Sequence, residues 1–209
     1  MLIERPPEWF RRLFRGAWFR LPAPPGQQKR VFLTFDDGPI PEATPWVLDT
    51  LDRFGVKATF FMVGQNVERY PHLLEEVLKR GHMAGNHTLH HIKGFTAGVD
   101  QYMKDAAAAE SLIGSKLFRP PHGWVFPSQF RRLAGEYQVV MYDLVTRDYS
   151  KRLTVEDVVE NVKRLCRDGS IIVFHDSLKS LPRLKEALPA SLEWLKSQGY
   201  SFGLFRDLE

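Results

Sequence analysis

Val31-Phe32-Leu33-Thr34-Phe35-Asp36-Asp37-Gly38-Pro39 is the stretch on which the reading of this chain turns. Its apolar, β-prone opening predicts a buried strand, and two adjacent carboxylates stand at the exit. Ionised Asp is rarely buried without a partner, and two like charges side by side repel. Something positive has to lie close by. The chain supplies it in His87-Thr88-Leu89-His90-His91, three histidines within five residues. One carboxylate with two imidazoles is a common catalytic zinc set that keeps a position for water. The combination predicts a metal-dependent hydrolase.

Outward from this stretch, strand-like and helix-like segments alternate. Strands are predicted at 30–35, 58–63, 83–86, 116–119, 138–143, 170–174 and 200–204. Helices are predicted at 42–54, 71–80, 99–114, 127–135, 154–167 and 182–198. This βαβα order predicts an α/β fold with a parallel sheet. Asp36, His87, Arg119, Asp143 or Asp148, and His175 all fall at or just past predicted strand C-termini. Sites form there in barrels and open α/β sheets.

A chain of 209 residues suits one domain, here 30–209, with an appendage at 1–29. Residues 1–30 carry seven Lys/Arg against two Asp/Glu, and the remainder is close to neutral, so no nucleic-acid surface is expected. Within the appendage, Trp9, Phe10, Leu13, Phe14, Ala17 and Trp18 recur at helical spacing, with Arg11, Arg12 and Arg15 opposite. A short helix packed on the main domain is expected, with peripheral membrane contact through residues 9–19 as the alternative. Leu21–Gly26 reads as a Pro-rich linker. No signal peptide or membrane-spanning run is visible, which points to a cytoplasmic or membrane-associated protein as encoded. A monomer is expected. The single cysteine, Cys166, reads as a structural thiol in a helix.

The polar residues suggest roles. His87 and His91, four apart, would share one face of a helical turn and chelate one ion, although His90 is also within reach of His87 by spacing. Asp36 or Asp37 would complete the set, and the other carboxylate could take a proton from the attacking water. Arg119-Pro120-Pro121-His122-Gly123 is a rigid turn whose arginine could hold a carboxylate. His175, ending Ser170–Phe174, is a candidate general acid. Asp148 could orient either Arg119 or His175.

Together these residues closely resemble the polysaccharide deacetylase family, also called the NodB homology domain or carbohydrate esterase family 4. Its five motifs appear in order: Thr34–Gly38, His87–His91, Arg119–Gly123, Asp143 through Tyr149, and Val173–His175. The resemblance implies a distorted TIM-like (β/α)7 barrel and a divalent metal, zinc first, with Co2+, Ni2+ or Mn2+ as alternatives. By position, Asp37, His87 and His91 resemble the ligands, Asp36 the general base, His175 the general acid, and Arg119 the restraint on Asp36. The backbone N–H of His122 would help stabilise the oxyanion, and Val173 would line the acetyl pocket. The implied reaction removes N-acetyl groups from a GlcNAc-containing glycan. The chain departs from the family in carrying Tyr149 where Trp is usual, His122 where Tyr is common, and Val173 for a common Leu. Trp124 and Tyr149 are candidate walls for a sugar, Trp124 being equally suited to packing. Brief loops imply an open groove. Hydrolysis of another amide, or glycan binding without catalysis, are the competing expectations.

Overall fold

The computed structural model describes residues 4–208; the outermost residues of the predicted appendage and domain, 1–3 and 209, lie outside that range. The chain runs α1 (Glu8–Leu13), β1 (Arg30–Asp36), α2 (Thr44–Phe54), β2 (Thr59–Met62), α3 (Gly64–Arg69), α4 (Pro71–Lys79) and β3 (Met83–Asn86). It continues through α5 (Val99–Ile113), β4 (Leu117–Phe118), α6 (Pro127–Glu136), β5 (Gln138–Val139), β6 (Leu144–Val145), α7 (Val155–Leu165), β7 (Ile171–His175), α8 (Leu181–Ser197) and β8 (Ser201–Phe202).

The strands pair in the order β5-β4-β3-β2-β1-β7-β6, all parallel, with β8 beside the start of β1. The sheet curls into a distorted TIM-like (β/α)7 barrel. β1 is buried along six of its seven residues, as befits a central strand covered on both faces. Leu33, Phe35, Phe60 and Phe174 pack from the sheet against Val47, Leu48, Leu51, Leu188 and Leu192 of α2 and α8. The short helix α3 has no counterpart among the predicted elements, because six residues are too few to show a periodicity.

The two ends of the strand path, β5 and β6, leave a seam. Of the single strand expected at 138–143 only β5, Gln138–Val139, forms; β6, Leu144–Val145, follows it on the other side of the seam. The N-terminal segment supplies the missing pairing. Trp18 N–H donates to Val139 O (2.9 Å) and Met141 N–H to Trp18 O (2.8 Å). Leu21 N–H donates to Gly169 O (2.8 Å), and Val145 N–H to Glu4 O (2.8 Å). Phe10 and Phe14, each 1% exposed, pack against Phe130 and Trp124. The helix stops at Leu13, short of the spacing seen through Trp18. Gly16 is left-handed (φ 96°), and Trp18 and Arg20 form β-bridges.

One buried carboxylate ties this segment down. Asp143, fully buried, accepts from Arg11 (2.6 Å), from Arg167 through Nε (3.0 Å) and Nη2 (2.7 Å), and from Ser170 Oγ (2.7 Å). Burial alone would raise its pKa, but these bonds more than offset that and hold it at about 2. Among the described residues no helix is long and apolar enough to cross a membrane.

Candidate active site

The site begins with strand register. Asp36, the last residue of β1, lies level with His175, the last residue of β7. Parallel pairing therefore delivers a carboxylate and an imidazole to the same end of the barrel. In a continuing strand Asp36 and Asp37 would point to opposite faces. Asp37 instead turns left-handed (φ 81°), and both residues line one cavity of about 220 Å³.

Asp176 fixes that turn. Buried at 1% exposure, it accepts from Gly38 N–H (3.1 Å) and Thr44 Oγ1 (2.6 Å), and burial pushes its carboxyl up to about 8. A Cβ on Gly38 would lie 2.1 Å from the Asp176 carboxylate, so only glycine allows this approach.

His87–His91 is a bend rather than the helical turn expected from its spacing. Thr88 and His91 are left-handed (φ 63° and 52°). The bend is held by α5, where Asp105 Oδ2 accepts from Leu89 N–H (2.9 Å) and His90 N–H (3.0 Å). His90 is exposed, and its Nδ1 meets Asp105 Oδ1 at 2.6 Å. Geometry thus removes His90 from the cluster and leaves His87 and His91. Their Nε2 atoms lie 3.8 and 3.2 Å from Asp37 Oδ1, and one ligand atom from each of the three residues falls within 4.8 Å of the others.

The protonation states suit a cation. His87 Nδ1 sits 2.7 Å from the Arg119 carbonyl, which can only accept, so the proton belongs on Nδ1 and the Nε2 lone pair faces Asp37. Burial depresses the His87 pKa to about 4, which keeps that lone pair free. Burial raises the Asp37 pKa, but the His91 hydrogen bond and the charges of His175 and His87 pull it well below the usual carboxylate range. An ionised carboxylate and a neutral imidazole lone pair facing one another form a donor set for a divalent ion.

Arg119 occupies the barrel interior at 2% exposure. It donates to Asp36 Oδ1 (2.6 Å), Thr34 Oγ1 (2.8 Å), Val140 O (3.2 Å) and Met141 O (3.0 Å), and its guanidinium lies 4.0 Å from the Phe61 ring centroid. On the opposite wall Asp148, fully buried, meets His175 Nδ1 at 2.8 Å and accepts from His175 N–H at 2.8 Å. Burial lowers the His175 pKa, but the charge and hydrogen bond of Asp148, aided by Asp37 and Asp36, raise it to about 9.

The two acids left open by the sequence are now separated: Asp148 orients His175, and Asp143 belongs to the N-terminal seam. The ring of His122, left-handed at φ 61°, lies tilted against that of His91, with centroids 4.7 Å apart. Burial, His91 and Lys93 together lower its pKa to about 4. Val173 and Tyr149 line the cavity, Tyr149 edge-on to His175 at 4.8 Å. Trp124 does not; it packs on Phe10 and Phe14 and faces a neighbouring depression. Tyr142, Val145 and Lys179 also line the cavity; Tyr142 and Lys179 lie outside the five motifs, and Val145 is an apolar member of the fourth with nothing in the sequence to single it out. The cleft is open to solvent, with Asp37 and His91 about 30% exposed.

Carboxylates and imidazoles gathered at the C-terminal ends of parallel barrel strands define the class of α/β-barrel enzymes. A sequence profile described as Polysaccharide deacetylase matches residues 23–141. The peptidoglycan-N-acetylglucosamine deacetylase of Bacillus cereus is 36% identical over 187 residues, covering 85% of this chain and 87% of that protein. The peptidoglycan-N-acetylmuramic acid deacetylase PdaC of Bacillus subtilis is 30% identical over 188 residues, 87% of this chain but 39% of PdaC. The crystal structure of the Bc1960 peptidoglycan N-acetylglucosamine deacetylase superposes with a TM-score of 0.83 at 30% identity, covering 92% of each chain. This chain belongs to the polysaccharide deacetylase family, carbohydrate esterase family 4.

Proposed function

We propose that this protein hydrolyses the N-acetyl group of GlcNAc residues in a glycan, peptidoglycan foremost. The observation that carries the reading is the register of Asp36 with His175 beside the Asp37–His87–His91 cluster. Asp37, His87 and His91 would hold a divalent ion, zinc first, which would supply Lewis acidity toward a water and the amide carbonyl.

The chain's own groups do the rest. Arg119 fixes one oxygen of Asp36, so the carboxylate is oriented to take a proton from the attacking water. The His122 backbone N–H donates to the oxygen that gains charge as the carbonyl carbon becomes tetrahedral. His175, protonated on both nitrogens at neutral pH, gives its Nε2 proton to the departing nitrogen as the C–N bond breaks. Acetate and a free amine result. Val173 flanks the acetyl methyl group, and Tyr149 and His175 wall the sugar.

The test is acetate release from GlcNAc oligomers and peptidoglycan fragments by zinc-loaded protein, with Asp36→Asn as control. Release is expected from at least one of these glycans. Its absence from every acetylated sugar, with metal bound, would turn the reading toward another amide or toward binding alone. Stripping the metal with a chelator should abolish release and lower the melting temperature, and re-addition of zinc should restore both.

Asp148→Asn should act through the pH profile. The raised pKa of His175 means its acid form persists up to about 9 and is lost above it. Without the Asp148 charge, the alkaline limb of kcat/KM should move down toward the ordinary imidazole value of 6.5. An unmoved limb would remove His175 as the acid.

A separate reading concerns α1. Trp9 (61% exposed) and Leu13 (50%) stand free among the exposed Arg12 and Arg15, which suits peripheral contact with an anionic membrane. Co-sedimentation with anionic vesicles should fall on Trp9→Ser with Leu13→Ser; equal sedimentation of both proteins would dismiss it.

A further inference from the structure

A second depression adjoins the catalytic cavity, lined by Lys93, Phe95, His122 and Trp124. His122 lines both, and its ring lies tilted against that of His91 of the Asp–His–His cluster. The two depressions therefore adjoin at His122, beside the cluster.

Phe95 is 54% exposed, although it lies on a loop tied firmly to the barrel. Gln129 Nε2 donates to Gly94 O (2.7 Å) and Ala97 O (2.9 Å), bracketing the turn that carries Phe95. Gly94 is buried, and a Cβ there would meet the Val125 backbone at 2.8 Å. A large aromatic ring held in water on a pinned turn invites a ligand face. Lys93 lies 5.9 Å from the centre of that ring and makes no ion pair among the described residues.

The catalytic cavity itself repeats the chemistry. Lys179 lies 5.4 Å from the Tyr149 ring centre and lines the catalytic cavity, again with no ion pair among the described residues. Apolar ring faces suit the C–H surface of a pyranose. An unpaired ammonium at the rim suits an anion on that sugar, and no acidic residue lines the second depression to oppose it.

We infer that the Lys93–Phe95–Trp124 depression is a binding site for the sugar next to the one being deacetylated, and that Lys93 selects a neighbour bearing a carboxylate. A lactyl ether of the muramic acid type, where no peptide is attached to it, is such a substituent. The inference rests on the deacetylase reading and names the kind of polymer it acts on: an anionic glycan rather than a neutral chitin-like one.

The experiment compares peptide-free GlcNAc–muramic acid glycan with the same glycan after chemical reduction of its carboxylates to alcohols. Equilibrium binding to the zinc-loaded Asp36→Asn protein is measured by calorimetry at low salt, so no turnover is needed. Wild-type kcat and KM are measured in parallel, which distinguishes failure of the deacetylase reading from failure of this one. An exposed charge pair contributes up to about 1 kcal/mol, so the carboxylated glycan should bind up to about fivefold tighter than the reduced one. Adding Lys93→Gln should erase that preference, Lys93→Arg should keep it, and Phe95→Ala should weaken both glycans alike. In the active enzyme, Lys93→Gln should raise KM on the carboxylated glycan with kcat unchanged. A preference that survives Lys93→Gln, or one that vanishes only with Lys179→Gln, would overturn the assignment. Equal binding of both glycans by the parent protein would do the same.

Discussion

Replacing Asp36 with asparagine is expected to cut kcat for acetate release by about 10²–10⁴, the usual contribution of a positioned proton acceptor. The amide keeps the shape of the carboxylate and can still accept from Arg119. It cannot take a proton from water. Asp37, His87 and His91 are untouched, so metal affinity should change little, and a metal titration will separate lost chemistry from lost metal. Stability should fall as well, because the Arg119 guanidinium is sealed inside the barrel and Asp36 is the carboxylate that meets it. The informative comparison is therefore kcat at a temperature where both proteins are folded. Near-wild-type turnover in the variant would remove Asp36 from the reaction and leave it as the structural partner of Arg119.

The second large effect concerns folding. Asp143→Ala should cost about 3–5 kcal/mol, the range found when one member of a buried ionic network is deleted. Arg11 and Arg167 would lose their shared partner, and Ser170 Oγ its acceptor. The pH dependence has a definite sign. The folded carboxyl at about 2 lies below its ordinary 3.8, so the wild type holds its full advantage above about pH 4. That advantage shrinks as pH falls through about 2. Urea melts of the two proteins at pH 7 and at pH 3 would measure it, and a difference under 1 kcal/mol at pH 7 would refute the account. Because Asp143 does not line the cleft, kcat of the folded variant at 25 °C should stay near that of the wild type.

Much of the chemistry is readable along the chain because it sits in short motifs at strand ends. Asp36 and His175 are nameable before their register is known, since a buried apolar run seldom ends in a charged residue unless that residue has a partner to meet. Choices between near neighbours are different. His90 or His91, and Asp143 or Asp148, are decided by which residue a distant segment of the chain captures. Asp105 on α5 takes His90, and the arginines of the seam take Asp143. Neither capture leaves a trace in local spacing. The early end of the strand predicted at 138–143 is hidden for the same reason, because Val139 and Met141 pair with Trp18, more than a hundred residues away. Lys93 and Lys179 carry no motif at all, and only their placement over aromatic rings at the two depressions sets them apart.

The seam has a consequence for how the protein is made. Residues 8–21 leave the ribosome early, but their backbone partners at 139–141 and 169–170 leave late. At ordinary synthesis rates of about 5–20 residues per second, this aromatic stretch waits many seconds for its place. For most of that interval Phe10, Phe14 and Phe19 lack Trp124 and Phe130 and have little native to pack on besides one another. The barrel must therefore be finished from its far side, with an early-made piece of chain set in last. Pairings of such long sequence separation form slowly. Nascent chains halted before residue 140 should expose this segment to proteases and hydrophobic probes, and chains released after residue 175 should hide it.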